Sequence, residues 1–213
     1  PIPVGRGLGF SGAVRVAGIV AAHAQRPGSD PERLSAHMRA MLALASELEG
    51  HADNVAASLL GGIVATADGR AVRIPLAFDP AIVVWIPSFT TSTDESRLKL
   101  GGDVAIGDAV FNIGRTALLV AALAAGDIDA LRSATQDRLH QDRRLAAVEP
   151  SKAAMDAALD AGAWCSWLSG SGPTVAAMCP LDDADVLAAQ MPDGGHTKVL
   201  RIDHEGAVIE ADD

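Results

Sequence analysis

Tyrosine is absent from this chain of 213 residues, and aromatic residues make up only 3% of it. Surfaces that read nucleic acid by stacking need aromatic platforms, and few are available here. Basic residues are scarce too: 17 Lys and Arg against 27 Asp and Glu leave a formal charge of −10. Phosphate backbones are held by clustered cations, so a nucleic-acid partner is disfavoured. Cysteine occurs twice, as Cys165 and Cys179, each in an apolar, strand-like stretch. Thiols so placed read as buried and free, and two are too few for a disulfide framework or a metal site. Long apolar runs are also missing, since Ala81–Pro87 and Ala117–Ala125 fall well short of the ~20 residues that cross a bilayer. No basic segment with a cleavage site opens the chain, so no membrane partner is expected and the location is read as cytoplasmic.

What is present suits a globular fold: 49% hydrophobic and 21% charged residues, over a length ample for a buried core. Phe10–Gln25, rich in Ala and Val without Pro, reads as a buried helix. Asp30 then caps a second helix that starts at Pro31 and stops at Gly50. A short helix near Asn54–Leu60 and a hairpin centred on Asp68-Gly69 follow. The second half reads as strand 81–87, helix 104–125, helix 151–161, strands 164–168 and 174–179, helix 183–190 and strand 198–203. With extra helices set aside this is β-α-β-β-α-β, the split βαβ order. An α+β protein is expected, divided into domains 1–79 and 80–213.

"PVGRGLGFSGA" sets Gly7, Gly9 and Gly12 in a G-x-G-x-x-G spacing. A dinucleotide fingerprint would need a strand before it and an acidic residue closing a strand about 20 positions on. Asp30 has roughly that distance but caps a helix. A P-loop needs Gly-Lys-Ser/Thr, and no Lys precedes Lys99. A plain glycine turn is one remaining reading. The other is an anion nest: Gly5, Gly7 and Gly9 let backbone N–H groups curl inward at the start of a helix, with Ser11 in its first turn.

Four segments in order carry a family resemblance. "PVGRGLGFSGA" resembles the phosphate loop of the small-molecule kinase superfamily of galactokinase, homoserine kinase, mevalonate kinase and phosphomevalonate kinase. "ELEGHADNVAASLLGG" and "DRLHQDRR" resemble segments of the homoserine kinase family in particular, and "LSGSGPTV" the superfamily's C-terminal glycine motif. Phe10, Gly12 and Ala57 depart from the usual Ser, Ala and Pro. The family's N-terminal motif has no counterpart, so the chain is read as N-terminally truncated, with slow or absent turnover expected. The resemblance implies a partial ribosomal-protein-S5-domain-2-like N-terminal domain and a ferredoxin-like C-terminal domain. It also implies ATP and Mg²⁺ as cofactors, L-homoserine as the small-molecule substrate, O-phospho-L-homoserine as product, and room for a homodimer. Another kinase of the superfamily, or an inactive fragment that still folds as a binding module, are the alternatives.

The site residues follow residue by residue. Pro3, Val4, Gly5, Arg6, Gly7, Leu8, Gly9, Phe10, Ser11, Gly12 and Ala13 form the implied ATP phosphate loop. Glu49 closes a helix, where the negative dipole end disfavours a carboxylate, so a cation must offset it. The family has this Glu ligate Mg²⁺ with the loop Ser, here Ser11. By chemistry alone His51 or Asp53 could serve as a general base. The resemblance makes His51 and Asn54 substrate-orienting and leaves Asp53 open between support and loop capping. Arg97 and Arg144 are the implied grips on the amino-acid carboxylate, because a guanidinium fork gives two parallel hydrogen bonds. Arg143 could replace Arg144, and Thr93 would support the same pocket. The "SGSGPT" turn at 169–174 is expected to pack on the phosphate loop, and His140 with Gln141 to order the helix of Arg144.

Overall fold

The apolar, proline-free stretch after the first glycines folds as helix α1 (Phe10–Ala24), entered through Gly9 in the left-handed region at φ 69°. The computed structural model describes residues 2–26, 31–90 and 103–209. Helix α2 (Pro31–Glu49) ends where Gly50 turns to φ 84°, and α3 (Asp53–Leu60) follows three residues later. Strands β1 (Val64–Ala67) and β2 (Arg70–Arg73) pair antiparallel across a two-residue turn, with Asp68 at φ 50° and Gly69 at φ 69°. Positive φ at both central residues is what a type I′ hairpin requires. Val16, Val20, Met41, Leu42, Ala45, Val55, Ala56 and Leu59 are buried together, drawing one face from each of the three helices.

The second compact unit contains Pro3–Leu8 and Pro75–Arg201, whereas Gly9–Ile74 and the residues from Ile202 onward make the first. Its sheet comprises β3 (Ala81–Pro87), β4 (Cys165–Leu168), β5 (Val175–Cys179) and β6 (Gly195–Leu200), in the order β4-β5-β3-β6 and antiparallel throughout. The helices are α4 (Ile106–Ala125), α5 (Ile128–Ala134), α6 (Gln141–Leu145), α7 (Glu149–Asp160) and α8 (Ala184–Ala189). β3 and β5 lie in the middle of the sheet and are almost wholly buried, which is why both read as unbroken apolar runs.

Three expectations shift. The last strand was expected at 198–203 but lies at Gly195–Leu200, with Gly195 opposite Pro87. Gly195 is the reason: a Cβ there would lie 2.7 Å from the Trp85 ring, so the strand begins with a residue that carries no strand signal. The chain beyond Arg201 then joins the first unit, where Gly62 N donates to Asp203 O (2.6 Å) and Ala207 N to Leu59 O (3.1 Å). The expected division at 79/80 therefore differs from the compact units at both chain ends. Second, α5 is a helix where none was expected, capped by Asp127, which accepts from Ala130 N; α6 is the helix expected at Arg144. Third, α4 is 20 residues long and apolar enough, by length and composition only, to cross a bilayer. The run 117–125 alone did not reveal this, because Asp108, Asn112 and Arg115 interrupt the helix's apolar sequence. Ile106, Val110 and Ile113 lie exposed along it. The expected cap Asp30 lies outside the described residues.

Cys165 and Cys179 are both free and buried. Burial pushes the Cys165 thiol up to about 12, against weaker opposing hydrogen bonds from Thr135 and Met178. Burial, reinforced by the Asp183 carboxylate, also raises Cys179. Thiolate is the reactive form. Native protein at pH 8 is therefore expected to leave both thiols unreacted with Ellman's reagent, and urea-unfolded protein to titrate two. Rapid labelling of either in the native state would contradict the packing of β4 and β5.

Candidate functional site

Gly5, Gly7 and Gly9 have φ of 67°, 74° and 69°, so left-handed residues alternate with ordinary ones up to the first turn of α1. This alternation curls successive N–H groups toward one side, the geometry of an anion nest. No side chain caps the helix, and its first intrahelical bond runs from Ala13 N to Gly9 O (3.0 Å). The N–H groups ahead of Ala13 are left to face an anion or water.

The first turn of α1 also gathers polar side chains. Ser11 Oγ donates to Glu49 Oε2 at 2.9 Å. The Glu49 side chain is 7% exposed at the C-terminal end of α2, whose last turn holds no basic residue. A carboxylate there is opposed by both burial and the helix dipole. Arg15 offsets it: its Nη1 bonds both Glu49 Oε2 and Ser11 Oγ. The sequence reading asked for a cation at Glu49 and missed Arg15. The signal was present, since Ser11 and Arg15 stand four apart and share a helix face. Glu47, by contrast, is exposed.

His51 Nε2 lies 3.9 Å from Glu49 Oε1, and its Nδ1 lies 2.6 Å from Asp53 Oδ1. The same Asp53 oxygen accepts from Asn54 N at 2.7 Å, so Asp53 fixes both neighbours while its own side chain stays 71% exposed. Asn54 presses against the start of α1. A methyl at Gly9 would come 3.2 Å from Asn54 Oδ1, and one at Gly12 would come 3.1 Å from Asn54 Cβ. Gly12, which departs from the family's usual Ala, thus lets α3 approach α1 closely. Ser11 and Glu49 are hard oxygen donors already bridged by a cationic group, a donor set that fits a hard divalent ion such as Mg²⁺. Among the described residues no group of three or more His, Cys, Asp or Glu is placed to hold a metal.

The earlier part of the glycine loop is built in the other unit. Ser169 Oγ donates to Gly7 O at 2.8 Å. A Cβ on Gly7 would lie 2.3 Å from Ser169 O and 2.7 Å from Gly172 O, so only glycine fits. Arg6 holds the end of β3 through Pro87 O (2.8 Å) and Ser88 O (2.9 Å), and Leu8 packs on Val84, Ile86 and Ala176. Pro3 is half-buried and Val4 exposed; Phe10 and Ala13 are half-buried. Buried side chains anchor the 169–173 turn from behind: Ser151 Oγ donates to Pro173 O (2.6 Å), and Gln141 Oε1 accepts from Leu168 N (2.9 Å). Neither contact was anticipated.

Arg144 Nη1 reaches Gly170 O at 3.0 Å, while Arg143 is exposed. The segment before Arg144 is set by Asp137. Its Oδ1 accepts from the N–H groups of Leu139, His140 and Gln141, and its Oδ2 accepts from Asn112 Nδ2 at 3.0 Å. Burial alone would raise the Asp137 carboxyl, but these hydrogen bonds and the nearby His140 outweigh it and hold it below its ordinary value. Burial, helped by the Arg144 charge and opposed by Asp137, lowers His140. Arg97 and Thr93 lie outside the described residues.

Residues 1–62 match the GHMP kinases N terminal domain and residues 119–197 match GHMP kinases C terminal. The chain is 46% identical over 183 residues to a homoserine kinase of Moorella thermoacetica, covering 84% of this chain and 60% of that protein. A homoserine kinase of Desulfitobacterium hafniense is 37% identical over 219 residues, covering 98% of this chain and 72% of the relative. The crystal structure of homoserine kinase from Cytophaga hutchinsonii superimposes with a TM-score of 0.83 at 27% identity, over 96% of this chain and 68% of that one. The chain thus spans between 60% and 72% of the length of these proteins.

Two predictions follow from the geometry. Ser169→Ala removes one hydrogen bond, expected to cost ~0.5–1.5 kcal/mol. Gly7→Ala should cost more, since a left-handed φ alone penalises Ala by ~1–2 kcal/mol before the clash with Ser169 O is counted. Amide exchange of the peptide containing residues 3–8 measures both; equal acceleration in the two variants would contradict the close contact. The second concerns acid. His140 is lowered on folding, so its contribution holds above the ordinary His value and is lost as pH falls below it toward the folded value. Wild type should therefore lose stability from about pH 6.5 downward, and His140→Gln should lose less over the same range by urea denaturation.

Proposed function

Since the chain belongs to the GHMP kinase family, and within it to the homoserine kinases, we propose that it transfers the γ-phosphoryl group of ATP to the side-chain hydroxyl of L-homoserine. The product is O-phospho-L-homoserine. The observation that carries this reading is the gathering of Ser11, Glu49, His51 and Asn54 around the first turn of one helix whose entry is a glycine nest.

Each residue has a task in that transfer. Backbone N–H groups of the glycine loop and the open end of α1 bind the phosphates and accept their charge. Ser11 and Glu49 would hold Mg²⁺, which when bound neutralises charge on the phosphate oxygens. His51 and Asn54 orient the substrate hydroxyl, with Asp53 fixing the ring of the one and the backbone of the other. Arg144, together with Arg97, holds the substrate carboxylate through forked hydrogen bonds. No dedicated base is required, because phosphoryl transfer through a loose transition state depends mainly on positioning and charge stabilisation.

The sheet order β4-β5-β3-β6 supports reading the second domain as ferredoxin-like; the resemblance alone makes the first part of a ribosomal-protein-S5-domain-2-like domain. The net charge of −10 favours a small-molecule substrate over nucleic acid. A cytoplasmic enzyme without membrane attachment, open to homodimer formation, completes the proposal.

The test is phosphoryl transfer by the protein expressed from its complete gene, with L-homoserine, mevalonate and galactose offered separately and products read by ³¹P NMR. Phosphate on homoserine alone is the expected result, and preference for another alcohol overturns it. In the same assay Arg144→Lys is expected to raise KM for homoserine at least ~10-fold while leaving KM for ATP within about twofold, because it keeps the charge and removes the fork.

A further inference from the structure

We propose that Arg15 is a tethered cation competing with the divalent metal ion for Ser11 and Glu49, so that metal binding requires its guanidinium to leave. The proposal rests on the reading of Ser11 and Glu49 as metal ligands. Arg15 Nη1 bonds to Ser11 Oγ and to Glu49 Oε2, the same two oxygens a metal would use. The Ser11 hydroxyl donates to Glu49 (2.9 Å) and accepts from Arg15, so its proton and a lone pair are both engaged. The Glu49 carboxylate is only 7% exposed, and a buried charge must be paired. Among the described residues, the permanent cation within ion-pair distance of it is Arg15, with the His51 ring nitrogen at 3.9 Å. Arg15 is itself 37% exposed, which gives its guanidinium a way into water once displaced.

The exchange is therefore one cation for another. With metal absent, Arg15 keeps the first turn of α1 and the end of α2 together. With metal bound, the ion takes over the charge of Glu49 and Arg15 swings free. The lost Arg15 contacts subtract from the apparent metal affinity, so a chain without this guanidinium should bind metal more tightly and depend on it more for stability.

The experiment titrates Mn²⁺ into nucleotide-free protein and follows free Mn²⁺ by electron paramagnetic resonance, alongside thermal unfolding. Arg15→Gln, which keeps a polar side chain without charge, is expected to bind Mn²⁺ about tenfold or more tightly than wild type, since losing one charged hydrogen-bond contact is of that order. It should also melt lower without Mn²⁺ and recover most of the difference when Mn²⁺ is added. Arg15→Lys, which retains charge and tests the proposal even where the Gln variant folds poorly, should bind Mn²⁺ between the two. Glu49→Gln should abolish binding. Equal affinity in wild type, Arg15→Gln and Arg15→Lys, with binding lost in Glu49→Gln, overturns the competition and leaves the metal-ligand reading standing. No saturable Mn²⁺ binding in any variant overturns the metal-ligand reading, and the proposal with it.

Discussion

A carboxylate buried at the wrong end of a helix governs the first unit. Glu49 sits where the α2 dipole and the loss of water both oppose its charge. Such a group persists only if neighbouring elements supply compensating positive charge and hydrogen bonds, and here α1 supplies both through Arg15 and Ser11. The apolar contacts of Val16, Val20, Met41, Leu42, Val55 and Leu59 make the three helices pack. They do not fix the register of α1 against α2 to an ångström, because aliphatic surfaces tolerate sliding better than a hydrogen-bonded ion pair does. The Glu49 contact adds that register, and with it places Ser11, His51 and Asn54 around one helix start.

The second unit has a different kind of constraint. Gly7 touches the 169–172 turn so closely that no side chain can stand between them. Steric exclusion of this sort is cheap for glycine and forbidding for anything else. The turn is held in turn by Ser151 and Gln141, both buried. Loop conformation here thus depends on helices α6 and α7, far away in sequence, as well as on the glycines themselves. Charge pairing and steric fit act on consecutive parts of one short segment, residues 3–15. That is why the segment tolerates little change without altering either the nest or the first helical turn.

Much of this could be read from the residues because the signals were local. Helix stops at Gly50 and Gly126, the Asp68-Gly69 hairpin and the buried strand at 81–87 each follow from one residue's backbone freedom or one apolar run. The proximity of Ser11 to Glu49, and of the SGSGPT turn to Gly7, came from the resemblance, since no spacing rule brings residues 38 or 162 apart together. What escaped was governed by tertiary packing. β6 starts on a glycine chosen by Trp85, and its two faces are too evenly exposed to show alternation. The return of residues 202–209 to the first unit combines backbone hydrogen bonds to Gly62 and Leu59 with packing of Ala207 and Ile209 on its core, too few apolar residues to show a period.

Of the departures from the family pattern, Gly12 bears on the packing around Glu49. Gly12 replaces the usual Ala, and its missing Cβ lets Asn54 and Val55 approach α1 within about a van der Waals contact. That approach carries α3, and the His51–Asp53 pair at its start, toward the same turn that bears Ser11. One helical turn further, Arg15 brings its own cation to the carboxylate that α2 presents there. Closer helices shrink the space around Glu49, and a smaller, drier space strengthens the demand for a positive partner. The Gly12 and Arg15 side chains do not touch the same atoms, yet the first tightens the packing that makes the second necessary. A side chain at 12 would loosen the helices and lessen the burial of Glu49, and with it the hold of Arg15.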